Sequence, residues 1–426
     1  MFRKGFALLL ALCLVLSATY ALAEQPTKKI TILSIWAEDN DNGILLTKLT
    51  DQFIAEVNPN FSYEYELVSA DNLRQKVATM AASNDLPDVF VYESGTPLIP
   101  FIEDGYVLDI TQALTDLGVL DKLDAGAVAI LSNLTSTEHI YDLPLGLNVE
   151  GFWYNKALFA QAGIEAAPTT YAEMQTACEK LMAAGIQPFS VGGADKWPAT
   201  RLINAYVMRK LGVDALAKCA AGEMSYVNDG IIEGAQLLQD MCNLGYFGEG
   251  PTTVDYNTAA NMLMSGQSAM LYNGSWFTQS LASADNPAGD DGIGFFNIPV
   301  VEGGVGTLTE YSMNCGNILC LSAAKYDDAT AAWLKYMVSN IGNYAIQNSG
   351  TLKGYTITEY PETLSNYTIM VADEFSKVTA ASTWFEATMD SEMTATAQQN
   401  VQSLMNGDMT AQEYAQALQD VYDAAN

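Results

Sequence analysis

An alternation of strand-like and helix-like segments between residues 29 and 94 constrains the fold more than any other feature of this chain. The segment KITILSIWA at 29–37 is rich in β-branched residues, which is typical of a strand. Apolar residues then recur at helical spacing: Ile44, Leu45, Leu49, Phe53 and Ile54. The segment NFSYEYELVSA at 60–70 alternates as a strand does, a second helical pattern follows it, and PDVFVYES at 87–94 is typical of a short buried strand. This order predicts a parallel sheet with helices on its faces.

The first 23 residues have the features of a secretory signal. Two basic residues precede an uninterrupted apolar run over 6–16, and an A-x-A motif ends at Ala23. We expect cleavage after Ala23, which makes 1–23 a signal peptide, and a lipid anchor at Cys13 is the alternative. No later stretch of the sequence reaches the ~18 apolar residues that a membrane-spanning helix needs. The sequence therefore predicts an extracytoplasmic protein, in the periplasm or at the outer face of the cell membrane.

Length and charge limit the number of domains and the class of partner. The chain of 426 residues holds 50 acidic and 19 basic residues, and its formal net charge is −31. Nucleic acid and anionic lipid are poor partners for such a field. The roughly 400 residues that follow the signal predict two domains or more. Because no linker rich in proline or serine separates them, ordered segments must cross the domain boundary, and they can do so more than once.

Two capping boxes predict helix starts in the second half of the chain. Thr170 with Glu173, and Thr410 with Glu413, each have the T-x-x-E spacing in which side chain and backbone satisfy one another at a helix N-terminus. Apolar residues follow both boxes at helical spacing, so each is expected to begin an amphipathic helix.

The inventory of reactive side chains argues against catalysis and against metal or cofactor binding. His139 is the one histidine in the sequence, so a Ser-His-Asp triad would have to use it and a zinc site would lack a second imidazole. The sequence contains no glycine motif of the nucleotide-binding classes, and no cofactor is expected. Because fifty acidic residues always offer carboxylate pairs, a secreted carboxylate-pair glycosidase stays open as an alternative.

The stretch SIWAEDNDNG at 34–43 resembles a calcium-binding loop at first sight. A twelve-residue loop that began at Glu38 would place Gly43 correctly at position 6, but Leu49 would occupy position 12, where a bidentate glutamate is required. Calcium is therefore rejected. What is left is a tryptophan with hydrogen-bonding groups at the carboxyl end of the first strand, and that edge is where open α/β sheets bind ligands.

Several segments resemble, in the same order, those of family 1 extracellular solute-binding proteins, the maltose-binding-protein-like receptors of carbohydrate ABC transporters. The longest is IYDLPLGLNVEGFWYNKALFAQAGIEAAPTTYAEM at 140–174, whose core is YNKALFAQAGI. The segments LPDVFVYESG and GYVLDIT precede it, and GQSAMLYNGSWF, IGFFNIPV and ATAAWLKYMVS follow it. The resemblance covers essentially the whole chain after the signal.

This resemblance implies a two-lobed α/β fold of the type II periplasmic-binding-protein class, with a mainly parallel sheet flanked by helices in each lobe. The N-lobe is expected to comprise 24–146 and 275–312, and the C-lobe 147–274 and 313–426. Segments that cross between the lobes are expected near 147–149, 271–273 and 311–316. The ligand would be enclosed in the cleft, and the lobes would move as rigid bodies about these hinges.

Candidate binding residues follow from the way that sugars are recognised, with aromatic rings against their apolar faces and acids and amides on their hydroxyls. Two of the six tryptophans, Trp153 and Trp333, lie inside apolar elements and are expected in the core. The predicted ligand-binding residues are Trp36, Glu38, Asp39, Tyr92, Glu93, Asn148, Glu150, Asp195, Trp197, Asn273, Trp276 and Trp384. The competing interpretation is core packing for each aromatic residue, and a helix start or a turn for each polar residue.

Charge in the candidate loops informs the choice of ligand. Phosphorylated and carboxylated ligands usually meet arginine or lysine, and these loops contain Lys196 alone. The sequence thus predicts a monomeric receptor that captures a neutral sugar or oligosaccharide, breaks no bond and presents the sugar to ABC permease subunits. A polyamine or peptide receptor of the same fold is an alternative, because acidic loops suit a cation, and the secreted glycosidase is another.

Overall fold

The structure is a computed structural model that describes residues 26–425, so the predicted signal peptide lies outside the described residues. Its strands are β1 (Lys28–Ser34), β2 (Phe61–Leu67), β3 (Val89–Tyr92), β4 (Asn148–Asn155), β5 (Gln187–Ser190), β6 (Ser268–Gly274), β7 (Ile293–Phe296), β8 (Glu310–Asn314), β9 (Ile318–Leu321) and β10 (Ala380–Ser382). Its α-helices are α1 (Asp41–Glu56), α2 (Ala70–Ala82), α3 (Ile99–Glu103), α4 (Ile110–Leu117), α5 (Ala125–Thr135), α6 (Lys156–Gln161), α7 (Tyr171–Ala183), α8 (Trp197–Leu211), α9 (Ala215–Ala220), α10 (Asp229–Asn243), α11 (Tyr256–Met264), α12 (Thr278–Ala282), α13 (Asp328–Asn348), α14 (Asn366–Lys377), α15 (Ser391–Asn406) and α16 (Ala411–Ala425).

The first sheet has the strand order β2-β1-β3-β9. Strand β1 is parallel to both β2 and β3, with helices α1 and α2 between them, so the predicted strand-helix-strand-helix-strand order is confirmed. Strand β9 closes the sheet by pairing antiparallel with β3. The central strand β3 is buried along its whole length, whereas β2 lies at the edge and alternates between buried and exposed positions.

The second sheet is mixed rather than mainly parallel. Its order is β10-β8-β4-β6-β5, and β7 also pairs with β4. The central strand β4 runs antiparallel to β6, β7 and β8, while β5 is parallel to β6. Gly151 permits the close approach of β7, because a Cβ at that position would lie 2.5 Å from the ring of Phe295. The expectation of a parallel sheet in both lobes is thus met in the first lobe only.

Both predicted capping boxes begin helices. At the start of α7 the Thr170 side chain accepts from the Glu173 backbone N–H, and the Glu173 carboxylate accepts from the Thr170 N–H. Thr410 and Glu413 make the same reciprocal bonds before α16. Each pair satisfies two N–H groups that the helix itself leaves without partners, which contributes about 1 kcal/mol of helix stability.

The hydrophobic cores divide the chain into two lobes with interleaved segments. The core of the first lobe draws on residues 30–145 and 315–355, and the cores of the second lobe draw on 149–313 and 367–418. We call the first the N-lobe and the second the C-lobe. This division differs from the sequence prediction, which placed 275–312 in the N-lobe and everything after 312 in the C-lobe.

The reason for the difference is that the chain returns to the first lobe after β8. Strand β9 supplies the fourth strand of the first sheet, and α13 then packs against α1. Within this contact the fully buried Trp333 donates its indole Nε1–H to Thr50 Oγ1 at 3.0 Å. The predicted core positions of Trp153 and Trp333 are both confirmed, since each is 0% exposed.

The chain crosses between the lobes at 146–148, at 314–316 and over 356–366. The first crossing coincides with a predicted hinge, and the second falls within another. The predicted hinge at 271–273 is wrong, because those residues lie inside β6 of the C-lobe sheet. Amide and hydroxyl groups link the first two crossings: Asn148 Nδ2 donates to Asn314 Oδ1, and Ser275 Oγ donates to Asn148 Oδ1, both at 3.2 Å. Among the described residues, no helix is long and apolar enough to span a bilayer.

Candidate ligand-binding cleft

Outside the crossings, two loops bring the lobes into contact beside the end of β3. The backbone N–H of Thr96 donates to the carbonyl oxygen of Ala387 at 3.4 Å, so an N-lobe loop meets a C-lobe loop. Gly95 permits this approach, because its φ is +84° and a Cβ there would lie 2.5 Å from the Ala387 oxygen. This contact and the crossings border the space between the lobes, which is the candidate cleft.

Three aromatic rings pack together at the start of α8 and α11. The Trp197 ring centre lies 5.5 Å from that of Tyr256 and 6.1 Å from that of Trp276. Trp276 donates its Nε1–H to the Tyr256 hydroxyl at 2.9 Å. Its six-membered ring lies over Gly274, where a Cβ would be 2.0 Å from a ring carbon. We call Trp197, Tyr256 and Trp276 the aromatic wall. Trp197 and Trp276 are partly exposed, so their faces are available to a ligand.

Arg201 lies next to the aromatic wall and connects it to a third tryptophan, Trp384. It follows Trp197 by one helical turn in α8, and its Cζ lies 5.7 Å from the ring centre of Trp197 and 5.7 Å from that of Trp384. Arg201 Nη1 lies 3.3 Å from Glu150 Oε1 in β4, and this carboxylate oxygen also accepts from Asn314 Nδ2 at 2.6 Å. The second crossing is therefore bonded directly to the charged pair.

Two predicted polar residues support the aromatic wall. Asp195 Oδ2 accepts from the backbone N–H of Tyr256 at 2.6 Å, which holds the start of α11 against the loop before α8. Asn273 Nδ2 donates to the Tyr256 hydroxyl at 3.1 Å, and the Asn273 side chain is almost fully buried. The bond of Asp195 is of the helix-start kind that was its competing interpretation, whereas Asn273 lies inside β6, in neither a helix start nor a turn. Asn148, described above, belongs to the bonds that link the crossings.

On the N-lobe side, Trp36 lies at the carboxyl end of β1. It is partly exposed, and its carbonyl accepts from the Tyr65 hydroxyl at 2.7 Å, which ties the loop to β2. Glu38 and Asp39 follow it and are both exposed to solvent. The exposed acids lie at the same sheet edge as Trp36, as the sequence predicts for residues that follow a strand.

The rest of the acidic stretch after Trp36 forms a helix start. Asn40 is the N-cap of α1 and accepts from the Asn42 N–H at 3.2 Å. Asp41 forms an ion pair with Lys353 at 2.5 Å, and both side chains are largely buried. Among residues 26–425, no group of three or more histidine, cysteine or acidic side chains has a geometry that could hold a metal ion.

The end of β3 places one predicted residue in the core and the next at the surface. Tyr92 is only 4% exposed and packs against Phe101 with ring centres 5.1 Å apart; burial raises the pKa of its hydroxyl to about 12. The expectation that Tyr92 lines the cleft is therefore not met. Glu93 follows the last residue of β3 and is partly exposed, and its carboxylate accepts from Arg74 Nε at 3.0 Å.

Sequence reasoning missed several residues of this region: Arg74, Arg201, Tyr256, Asn314 and Lys353. Arg201 had a usable signal, because it follows Trp197 at the i+4 spacing of a helix face. Lys353 had none, since its partner Asp41 is some three hundred residues away in the sequence. Lys196 is the one cation of the candidate loops themselves, but the folded chain brings cations from other segments into this region. Three further cations lie in this region, and each is paired with a carboxylate.

Two lobes, interleaved crossings and a border of partly exposed tryptophans define a protein that binds a ligand between its domains. The chain belongs to the bacterial extracellular solute-binding protein family, whose sequence model matches residues 44–344. Members of this family are binding proteins that work outside the cytoplasm.

Individual relatives agree with this assignment. An uncharacterized ABC transporter extracellular-binding protein of Pyrococcus horikoshii is 24% identical over 68% of this chain and 63% of its own length. The multiple sugar-binding protein of Streptococcus mutans is 24% identical over 73% of this chain and 71% of its own. A solved chitin oligosaccharide binding protein superposes with a TM-score of 0.84 at 25% identity, covering 94% of this chain and 99% of that one. The matches thus span less than two thirds of the Pyrococcus protein and half of the Brucella abortus putative binding protein.

Proposed function

We propose that this protein captures a neutral sugar or oligosaccharide between its lobes and presents it to the permease subunits of an ABC importer. The observation that carries the proposal is the aromatic wall, with Trp384 beside it across Arg201. Partly exposed aromatic rings can pack against the apolar face of a sugar ring. The hydrogen-bonding groups around them can bind the hydroxyls at its edge. The names of the Streptococcus relative and of the chitin oligosaccharide binding protein support the same class of ligand.

The charge balance of the cleft region supports an uncharged ligand. Arg74 is paired with Glu93, Arg201 with Glu150, and Lys353 with Asp41, so each of these cations already has a carboxylate partner. To form an ion pair with one of these cations, an anionic ligand would have to displace the carboxylate that is already bound to it. The displaced carboxylate would then have no counter-ion. A neutral hydroxyl can instead share the existing groups at little cost.

Among the predicted residues, we infer that ligand contact falls to those that keep exposed surface, apart from Asp195, whose exposed carboxylate is bonded to the Tyr256 N–H. These are Trp36, Glu38, Asp39, Glu93, Trp197, Trp276 and Trp384, to which Arg201 is added. Asn148, Asp195 and Asn273 would act by positioning other groups, through the hydrogen bonds given above. Closure follows because a ligand that contacts both lobes favours the state in which they approach one another.

We also propose that the protein acts as a monomer, outside the cytoplasm, without breaking a bond in its ligand. The family supports binding rather than catalysis. Glu150, a buried acid of the region, supports the same conclusion, because its Oε1 accepts from Arg201 and Asn314 and its Oε2 is also buried, so that neither oxygen is exposed to a glycosidic oxygen.

The test is calorimetric titration of residues 24–426 against neutral mono- and oligosaccharides, with spermidine as a cationic comparison. The same samples are then chromatographed for cleavage products. We expect tight binding of at least one neutral sugar, which is recovered intact. Cleavage of any sugar would establish an enzyme instead, and binding of spermidine alone would establish a receptor for cations with the same fold.

A further inference from the structure

The ion pair of Arg201 and Glu150 lies beside two tryptophans of the C-lobe. The Arg201 guanidinium lies within 5.7 Å of two ring centres, and its side chain is 11% exposed. Glu150 is 0% exposed, and it lies in β4 two residues beyond the stretch that forms the first crossing. An arginine held beside tryptophan rings keeps one edge directed toward a ligand, while a buried acid neutralises its charge from behind.

This pair is only partly satisfied within the described protein. Arg201 contacts Glu150 through Nη1 and Oε1 alone, at 3.3 Å, so the two-bond geometry that arginine and a carboxylate can form is not made. Among residues 26–425, neither Arg201 Nε nor Glu150 Oε2 has a hydrogen-bond partner, although both atoms are buried. Buried polar atoms are nearly always hydrogen-bonded. The arginine thus retains donor capacity, and the acid retains an oxygen that accepts no hydrogen bond.

We propose that Glu150 determines the charge of the ligand, by neutralising Arg201 so that the cleft selects uncharged sugars over sugars that carry a carboxylate. This inference rests on the proposed function. Without Glu150, the guanidinium would be a binding site for a uronate, because planar two-bond recognition of carboxylates is what arginine does best. With Glu150 in place, a ligand carboxylate meets a neighbouring buried negative charge that has no other counter-ion. The cleft would then reject the anionic sugar because Glu150 repels its carboxylate, and no additional attractive contact to the neutral sugar is needed.

The proposal predicts that Glu150 and Arg201 have opposite effects on the charge of the preferred ligand. Removing the acid should favour anionic sugars, because Arg201 is then uncompensated. Removing the arginine should favour cationic amino sugars, because Glu150 is then uncompensated. A merely structural ion pair would lower the affinity for all sugars alike when either half is changed, and would leave their ratio constant.

The experiment compares three trimers by calorimetry: chitotriose, which is neutral, the glucosamine trimer, which has the same backbone and is cationic, and trigalacturonate, which is anionic. In Glu150→Gln, the affinity for trigalacturonate relative to chitotriose should rise by about 10-fold or more over the wild-type ratio. The matched control is Glu64→Gln, which removes the same charge from an exposed pair with Lys29 in the N-lobe and should leave the ratio unchanged.

Should Glu150→Gln not fold, Arg201→Gln tests the opposite arm, and it should raise the affinity for the glucosamine trimer relative to chitotriose by about 10-fold. A folded variant of either kind with the wild-type ratio overturns the proposal. The proposed function fails in a different way, since wild-type protein would then bind no neutral sugar in the panel. That outcome is visible before any variant is made.

Discussion

The two lobes bring different chemistry to the cleft between them. The C-lobe contributes the aromatic wall and Trp384, which surround an arginine whose counter-charge is buried beneath it. The N-lobe contributes a single partly exposed tryptophan, Trp36, with exposed acids beside it and an ion pair between Arg74 and Glu93. The comparison suggests a division of roles, in which the C-lobe provides most of the binding free energy and the N-lobe closes over a ligand that is already held.

Their buried acids differ as well. In the C-lobe, Glu150 accepts from Arg201 and Asn314, and Glu386 accepts from the Thr200 hydroxyl. In the N-lobe, Asp142 is 0% exposed, and neither of its carboxylate oxygens has a hydrogen-bond partner of good geometry among the described residues. A buried carboxylate without partners is more easily kept neutral than charged. The stability of the N-lobe core should therefore respond to pH through Asp142.

The largest effect is expected for Asp142→Asn. Burial raises the pKa of Asp142 from its usual 3.8 to about 7, and the nearby Ser94 hydroxyl lowers it by less. The folded protein therefore binds a proton more tightly than the unfolded chain does. The protonated Asp142 therefore contributes fully to the free energy of unfolding below about pH 4. This contribution, roughly 4 kcal/mol in total, is lost as pH rises toward 7.

Asparagine carries no charge at any pH, so Asp142→Asn should show a flatter dependence of the free energy of unfolding on pH, and it should be more stable than wild type at pH 8. Denaturant unfolding between pH 4 and pH 8 measures both effects. The control is Asp104→Asn, which changes an exposed aspartate of the same lobe and should keep the wild-type slope. Equal slopes for wild type and Asp142→Asn would contradict the buried-acid comparison.

The second prediction compares one tryptophan from each lobe. Trp197→Ala should lower the affinity for the bound sugar about 100-fold, because it removes the ring that contacts Tyr256, Trp276 and Arg201, whereas Trp36→Ala should cost only about 10-fold. The same truncation in the other lobe is the matched control, and melting temperatures check that both variants are folded. Equal losses, or a greater loss for Trp36→Ala, would reverse the proposed division between the lobes.

The third prediction concerns the contact between the lobes. Gly95→Ala places a Cβ 2.5 Å from the Ala387 oxygen, so the loops must separate and closure becomes less favourable. We expect an affinity about 10-fold lower, together with a smaller compaction on ligand binding in solution X-ray scattering. Gly105→Ala controls for backbone strain, because Gly105 also has a positive φ, +70°, but has nothing within 4 Å of an added Cβ. Similar losses in both variants would mean that strain, not the contact, is responsible.

The smallest effect is expected for Glu38→Gln combined with Asp39→Asn. Both side chains are exposed at the N-lobe edge, where polar contacts are solvated and contribute little, so the affinity for a neutral sugar should change by less than about 3-fold. Calorimetry at low and at physiological salt measures the change and its ionic-strength dependence. A loss greater than about 10-fold would show that the N-lobe acids bind the ligand directly, and would bring the two lobes closer to equal roles.

Sequence reasoning predicted the first sheet correctly because its pattern is local. Strands β1 and β2 are each followed along the chain by a helix, α1 and α2, and the short connections between them leave few alternatives. The return of the chain to the N-lobe could not be predicted in the same way. The run ILCL at 318–321 is apolar throughout, so it fits a buried position in either sheet, and the pairing of β9 with β3 depends on contacts between residues far apart in sequence.

Some residues of the candidate site could likewise be predicted from the sequence, and others could not. Trp36, Trp197, Trp276 and Trp384 were separated from the two core tryptophans by their polar neighbours, and all four keep exposed surface in the structure. Tyr92 was misassigned because β3 is buried on both faces, and its four residues offer no alternation to show which side chain reaches the surface. The charged pairs were missed for another reason: each joins segments that only the folded chain brings together, so their spacing in the sequence carries no signal.

The interleaving of the lobes also has a consequence for how the protein is made. A nascent chain that has emerged as far as residue 314 still lacks β9 and α13, and with them the buried Trp333 that completes the N-lobe core. The C-lobe core is incomplete for longer, because it includes Tyr414 and Leu418 from the last helix. Neither core can therefore complete its native packing until late in synthesis. A polypeptide that is slow to fold in this way remains suited to passage through a membrane channel that admits only extended chains.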